Sequence, residues 1–465
     1  MTTDAAKVPP SLLRDRNFLN FWSAQTISQL GTQLGQLAFP VLAVSLLGAS
    51  AFQVGALNAS ATAAFLLVGL PAGAWVDRWI KRRVMITADL LRVVAMSVVP
   101  LLWWADVLAI WHLYIVAGVV GIATVFFDVS YQSIVPILVR REQVPDANSK
   151  LESTAQLARM GGPALGGGLL QIISVPLLFV FESFGYLWSA IFLWRTRDHE
   201  EPHRVEDRKP LTKEIAEGLS FVWKHPLINR NVACTAATNF FSILTFTLLP
   251  ILVLRELDLG AAGLGIAMSV GSAGGLLGAV ATPWIARRIG EGTVIPLAAL
   301  VGASFGVLIP LSALAGSDWL ALTILIAAEF GFSFSVLAYN IMQVSMRQRV
   351  CPPRLLGRMN ASIRFLVWGI MPIGALLAGY LGGAIGIVPT MWISVAGGFL
   401  AAAPVFFSPL LGMKTLPDTY EGEAGPPSSG PSSSDPGDCE PPSSDPAESE
   451  LEQASSESAS DTTGR

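Results

Sequence analysis

The sequence predicts an all-α membrane protein, with twelve transmembrane helices arranged in two pseudo-symmetric six-helix bundles. Three observations carry this expectation. The 465 residues are 52% hydrophobic and only 14% charged, against about 25% charge in soluble domains. Apolar stretches recur at close to the roughly 20 residues that cross a hydrocarbon core. Lysine and arginine gather in alternate connections between those stretches.

In chain order the expected spans cover 19–46, 52–76, 84–105, 111–135, 148–173, 176–195, 230–254, 262–285, 294–315, 319–341, 362–383 and 388–411. They are rich in Gly, Ala and Leu, and they contain Pro40, Pro71, Pro163 and Pro372. Such prolines suit bilayer helices, whose neighbours re-satisfy the freed backbone groups. The short alternating strands of a membrane barrel are not visible. The chain therefore divides into a cytoplasmic N-terminus (1–18), a first bundle (19–195), a linker (196–229), a second bundle (230–411) and a tail (412–465).

Orientation follows from the basic residues. One set of connections carries, among others, Arg14 and Arg16, Arg82 and Arg83, Arg140 and Arg141, Arg287 and Arg288, and Arg347 to Arg358; the opposite set holds Arg255 alone. The positive-inside rule then places both termini in the cytoplasm of a multi-pass protein of the cell (inner) membrane. In the linker, Leu211, Ile215, Leu219 and Val222 recur at helical spacing, which predicts a short amphipathic helix on the cytoplasmic surface. The tail is rich in Pro and Ser, and twelve acids lie between Asp418 and Asp461. The remainder keeps 22 acids against 29 bases, a net charge of +7. A segment so poor in apolar residues is expected to be disordered. Cys234, Cys351 and Cys439 are far apart and suggest neither a disulfide framework nor a metal site. The N-terminus has no short apolar core with a cleavage site, so the first span is expected to be retained.

One stretch stands out. "GAWVDRWIKRR" (73–83) closes an apolar run with five charges in seven residues, and "GAVATPWIARR" (278–288) repeats its Gly, Ala, Trp, Ile and two Arg at an offset of 205. Both close the second span of a six-span half. Parallel repeats about an axis along the membrane normal are a recurring transporter architecture.

Charges inside spans point to function, since each costs about 2.5–3.5 kcal/mol at a helix centre. Glu329 lies near the middle of span ten and Glu182 in the outer half of span six. Asp128 and Arg159 fall in spans four and five, as either a pair across adjacent helices or coupling groups. These four are the candidates for proton coupling, with Glu329 ahead. Asp89 and Arg92, three apart, read as a local ion pair. Gln25, Gln29, Thr32 and Gln36 share one face of span one. Thr238, Asn239, Ser242 and Thr245 mark span seven, and Tyr339 and Asn340 mark span ten. Such groups either hold helices together or face a substrate.

Over residues 15–412 the chain resembles the major facilitator superfamily. Its loop motif G-x-x-x-D-R/K-x-G-R-K/R is matched by Gly73, Asp77, Arg78, Lys81 and Arg82, with Ile80 in place of the second Gly. In physical terms, Asp77 sits at a helix end as a gate latch and the basic cluster remains in water. "ARMGGPALGGG" resembles the antiporter motif of proton-coupled exporters through Gly162, Pro163, Gly166 and Gly167, with Ala158 in place of the leading Gly. Looser phrases resemble the branch of macrolide and siderophore exporters. The resemblance implies spans 1, 4, 7 and 10 around a central cavity.

The expectation is a proton-coupled antiporter that exports small organic molecules of drug, macrolide or siderophore type by alternating access. A proton symporter for uptake and a non-transporting membrane sensor are the alternatives. Expected partners are the substrate, protons and the bilayer, with a monomer favoured. No nucleic acid, metal, catalytic residue or cofactor is expected, and the proton gradient is the energy source. "HEEPH" (199–203) matches a zinc-protease pattern, but Pro202 would break its helix. No P-loop or GxSxG occurs, so ATP and serine hydrolysis lack support.

Overall fold

The computed structural model describes residues 12–76, 79–140, 143–197 and 211–416. Within the first bundle the helices are α1 (Arg16–Val41), α2 (Ala51–Leu67), α3 (Gly69–Val76), α4 (Lys81–Trp104), α5 (Ile110–Leu138), α6 (Val144–Leu169) and α7 (Val175–Arg195). The linker forms α8 (Leu211–Lys224). The second bundle comprises α9 (Pro226–Ile251), α10 (Gly260–Ile289), α11 (Glu291–Gly306), α12 (Leu308–Leu311), α13 (Asp318–Val350), α14 (Pro353–Gly369), α15 (Met371–Ala384) and α16 (Ile387–Phe406). Among the described residues, nine helices are long and apolar enough to cross a membrane. The tracks of α1, α2 with α3, and α6 follow the three remaining expected spans, and carry the polar, broken or glycine-rich sequences that keep them below that threshold.

Local chemistry sets the ends. Asp15 accepts the Asn17 N–H at 2.9 Å and caps α1. Ser50 and Gln53 form a reciprocal capping box on α2, satisfying donors that lack helical partners. The breaks fall at prolines. Pro71, Pro310 and Pro372 each lack the N–H that would reach the carbonyl four residues back, and their rings crowd it. Accordingly α2 ends at Leu67, α11 at Gly306 and α14 at Gly369.

The two halves repeat a detail beyond the charged stretches. Pro40 lies inside α1 and a π-turn follows over Leu42–Leu46; Pro250 lies inside α9 and a π-turn follows over Leu252–Glu256. The offset is 210 residues. Each π-turn ends its span.

Apolar burial is distributed unevenly along the helices. At the end away from residues 12–14 and 412–416, one core joins both halves, with Leu42, Val54 and Leu57 packed among Leu249, Leu252 and Ala375. The halves come close there because glycines let them. A Cβ on Gly55 would lie 2.6 Å from the Ala375 oxygen. Arg255, alone in its set of connections, donates to the Val44 carbonyl across the halves at 2.9 Å. At the terminal end each half has its own core: Phe18, Met85 and Leu193 in the first, Ile228, Met346 and Met359 in the second. This far end is sealed by shared apolar surface, whereas at the terminal end no core common to both halves forms among the described residues.

The linker helix docks on the second half, with Val222 in that half's core, Glu217 paired to Arg358, and Gly218 against the Arg358 carbonyl. The tail begins differently from the expectation for 412–465. Residues 412–416 run along the start of α11, where Glu291 and Gly292 donate to the Lys414 and Met413 carbonyls at 3.0 and 3.1 Å, and Leu416 is buried. Beyond 416 the tail lies outside the described residues, as do Asp77 and Arg78 of the loop motif. Lys81 begins α4. Arg82 corrects the expectation of a wholly solvated cluster: it donates to the carbonyls of Thr196 and Trp194 at 2.7 and 3.2 Å. Cationic groups are favoured at such a helix C-terminus, where carbonyls lack helical donors.

Candidate functional site: the central cavity

A cavity of about 440 Å³ lies between the halves, lined by α1, α2, α4, α5 and α7 from the first and α9 and α10 from the second. Its wall is mostly apolar, with Phe39, Phe65, Phe246, Met96 and Met268 among the lining groups. Among the described residues its carboxylate is Glu182, and no lysine or arginine lines it.

Glu182 reaches the cavity because α1 and α7 touch through small residues. A β-carbon on Gly35 would occupy the space taken by the Glu182 carboxylate. The Tyr186 hydroxyl, one turn along α7, donates to Glu182 Oε1 at 2.9 Å. Thr32 Oγ1 lies 3.2 Å from that hydroxyl and also donates to the Ser28 carbonyl at 3.0 Å. The three groups form a chain whose polarity can reverse. With Glu182 ionised, Tyr186 donates to it. With Glu182 protonated, the carboxyl can donate to Tyr186, Tyr186 to Thr32 and Thr32 to Ser28. Each hydroxyl then has both a donor and an acceptor.

Behind this chain sits Arg92 of α4, 3% exposed. Its guanidinium lies over the rings of Phe127 and Tyr186, at 4.5 and 5.0 Å from their centroids, a cation–π geometry. It pairs with fully buried Asp89 at 3.2 Å. Tyr186 thus joins the Glu182 carboxylate, to which its hydroxyl donates, to the buried guanidinium that lies over its ring.

The remaining candidates scatter. Asp128 lines a separate 360 Å³ pocket with Gln132, Asn360 and Arg364; there Arg364 donates to Gln132 across the halves at 3.3 Å. Arg159 does not pair with Asp128. It is exposed and lies 3.7 Å from Glu152 and 3.3 Å from Gln156, because the first half of α6 presents a polar face. Glu329 is buried against Gly271 of α10, but it does not line the central cavity. Its Oε1 has no hydrogen-bond partner among the described residues.

Of the polar stripe on span one, Thr32 and Gln36 line the cavity. Gln25 is buried and Gln29 half-buried nearer the terminal end. In the second half most of the expected cavity groups bind other protein groups instead. Tyr339 donates to Asn231 Oδ1 at 2.8 Å and lies 2.8 Å from Thr235. Asn340 accepts from Gln343 at 2.7 Å, and Asn239 donates to the Val367 carbonyl at 3.3 Å. Thr238 lies 4.0 Å from the Cys234 sulfur. Ser242 lines a small side pocket with Thr245. Among the described residues span ten contributes nothing to the cavity wall, and spans two, three, six and eight join spans one, four and seven there. Asn58, half-buried mid-span, donates to Thr247 across the cavity at 2.9 Å.

The antiporter-like glycines have a packing role in this geometry. Gly162 and Gly166 face Gln33 and Leu37 of α1, while Gly167 lies against Ala261 of α10, where a Cβ would be 2.9 Å from its oxygen. Pro163 presents its carbonyl to Gly265. The motif thus wedges α6 between the two halves.

Residues 8–421 match the family model described as "Transmembrane secretion effector". The chain is 27% identical over 376 residues to the multidrug efflux pump Tap of Mycolicibacterium fortuitum, covering 77% of this chain and 88% of Tap. It is 21% identical to macrolide efflux protein A of Streptococcus pyogenes, over 82% and 92% of the two chains. Among solved structures, a bacterial homologue of the iron transporter ferroportin aligns with a TM-score of 0.66 at 16% identity, over 85% of this chain and 98% of that one.

Proposed function

For a chain that belongs to the transmembrane secretion effector family of major facilitator transporters, we propose proton-coupled antiport that exports small organic molecules by alternating access. The observation that carries this reading is Glu182, a titratable group on the wall of a mostly apolar cavity, linked to Tyr186 and Thr32. Two relatives named for efflux support the outward direction. The Lys/Arg distribution supports a cytoplasmic position for both termini.

The coupling works through charge. Arg92 can balance one carboxylate; a second ionised group in hydrocarbon costs about 2.5–3.5 kcal/mol. A proton on Glu182 removes that charge, and a cationic or polar substrate compensates it instead. Proton and substrate then compete for one group, which is what antiport requires. Inward movement of a proton supplies about 2.3 kcal/mol per 100 mV of membrane potential. Glu182 takes the leading role in this reading in place of Glu329, because among the described residues it is the carboxylate that lines the cavity.

Inverted vesicles energised with a proton gradient test this reading with a panel of antibiotics, dyes and siderophores. The wild type accumulates a substrate, and Glu182→Gln binds it but does not accumulate it. Uphill accumulation by Glu182→Gln at the wild-type rate would sink the assignment. Accumulation only in right-side-out vesicles would favour uptake by symport.

A further inference from the structure

The second copy of the charged stretch, 278–288, has no part in the central cavity, yet it lines a cavity of its own. About 630 Å³ opens at the terminal end of the second half, between the ends of α10 and α13 and the segment 412–416. Arg287, Arg288, Arg349 and Lys414 line it, together with the hydroxyls of Ser345 and Thr415. The carboxylate in the wall is Glu291, already engaged by Arg349 at 2.8 Å and by the Leu416 N–H at 3.0 Å. Four bases against one committed acid make this an anion site.

Its surroundings point to the kind of anion. Leu277, Val280, Trp284 and Arg288 succeed one another at spacings of three, four and four, so they form one stripe on α10. The three apolar members are 51%, 71% and 59% exposed, a face suited to acyl chains. The Arg288 guanidinium lies 5.0 Å from the Trp284 ring centroid, at the level where aromatic rings meet headgroups. Acyl-facing residues thus lead directly into a basic, hydroxyl-lined pocket.

We propose that this pocket binds the phosphate of an anionic phospholipid headgroup from the adjacent leaflet, with the Leu277–Trp284 stripe holding its acyl chains. Arg287 and Arg288 supply most of the charge, and Thr415 donates to a phosphate oxygen, while the Ser345 hydroxyl already donates to the Ile341 carbonyl at 2.8 Å. A soluble phosphate would use the same bases but gain nothing from the stripe.

Native mass spectrometry of the full-length protein in detergent tests this with added phosphatidylglycerol or phosphatidylcholine. The wild type retains phosphatidylglycerol in preference to phosphatidylcholine. R287Q/R288Q binds it roughly thirtyfold more weakly, the loss expected for two interfacial bases. R287K/R288K keeps most of the affinity, and R195Q/R197Q, which removes the same charge elsewhere, leaves it unchanged. Excess inorganic phosphate does not displace the lipid. Equal phosphatidylglycerol retention by wild type and R287Q/R288Q overturns the site. Equal loss in R195Q/R197Q reduces it to general electrostatics, and displacement by inorganic phosphate makes it a free-anion site.

Discussion

Arg92 was readable in the sequence only as the local partner of Asp89, three residues away. That spacing is sufficient by itself and conceals the rest, since nothing in the order of residues says that Tyr186 and Phe127 converge on the same guanidinium, or that Tyr186 also donates to Glu182. Arg159 illustrates the converse: a charge inside an expected span that the fold turns outward beside Glu152. Removing one member of a buried pair leaves the other uncompensated, at a cost of about 3–5 kcal/mol. Arg92→Gln should therefore lower the thermal unfolding temperature clearly, and adding Asp89→Asn should recover part of the loss. An unchanged melting curve for Arg92→Gln would show that the pair is not structurally important. Tyr339 and Asn340 were expected at the cavity, and their hydroxyl and amide satisfy Asn231 and Gln343 instead. Polar groups within apolar helices can serve either purpose, and sequence periodicity does not separate the two.

Helical elements were more legible than their partners. The expected spans and the amphipathic linker helix coincide with observed helices to within a few residues at most ends, because hydropathy, caps and prolines act locally. The segment 412–416 escaped notice because its docking depends on backbone hydrogen bonds from Glu291 and Gly292, which leave no signature in composition. Two predictions belong at this scale. Truncation after Tyr420 should leave transport and stability nearly intact. Truncation after Leu411 exposes the site of Leu416 and loses its burial, worth about 1.5–3 kcal/mol, and should lower the unfolding temperature; equal stability of the two truncations would contradict the docking. Gly55 makes a second case. Valine there collides with the backbone at Ala375 and Gly379, so Gly55→Val should prevent closure of the far end and raise the labelling of a cysteine placed at Asn58. Unchanged labelling would mean that the halves do not need this contact.

At the scale of the molecule, the echoed charged stretches and the paired π-turns describe one six-helix unit used twice, joined where apolar cores merge. Orientation is tested by cysteine labelling in a Cys439→Ser background, with Gly316→Cys expected outside and Lys224→Cys inside. Native Cys351 contributes little background, because it is buried and burial pushes its thiol up to about 11. The reverse pattern would invert the topology. The chemistry at the centre is tested most directly by proton release, measured when substrate is added to the purified, weakly buffered protein containing a pH-sensitive dye. If substrate and proton compete for Glu182, the wild type and Glu329→Gln release close to a single proton per molecule of bound substrate, and Glu182→Gln binds substrate without releasing one. Release that persists in Glu182→Gln, or disappears only in Glu329→Gln, would contradict the account.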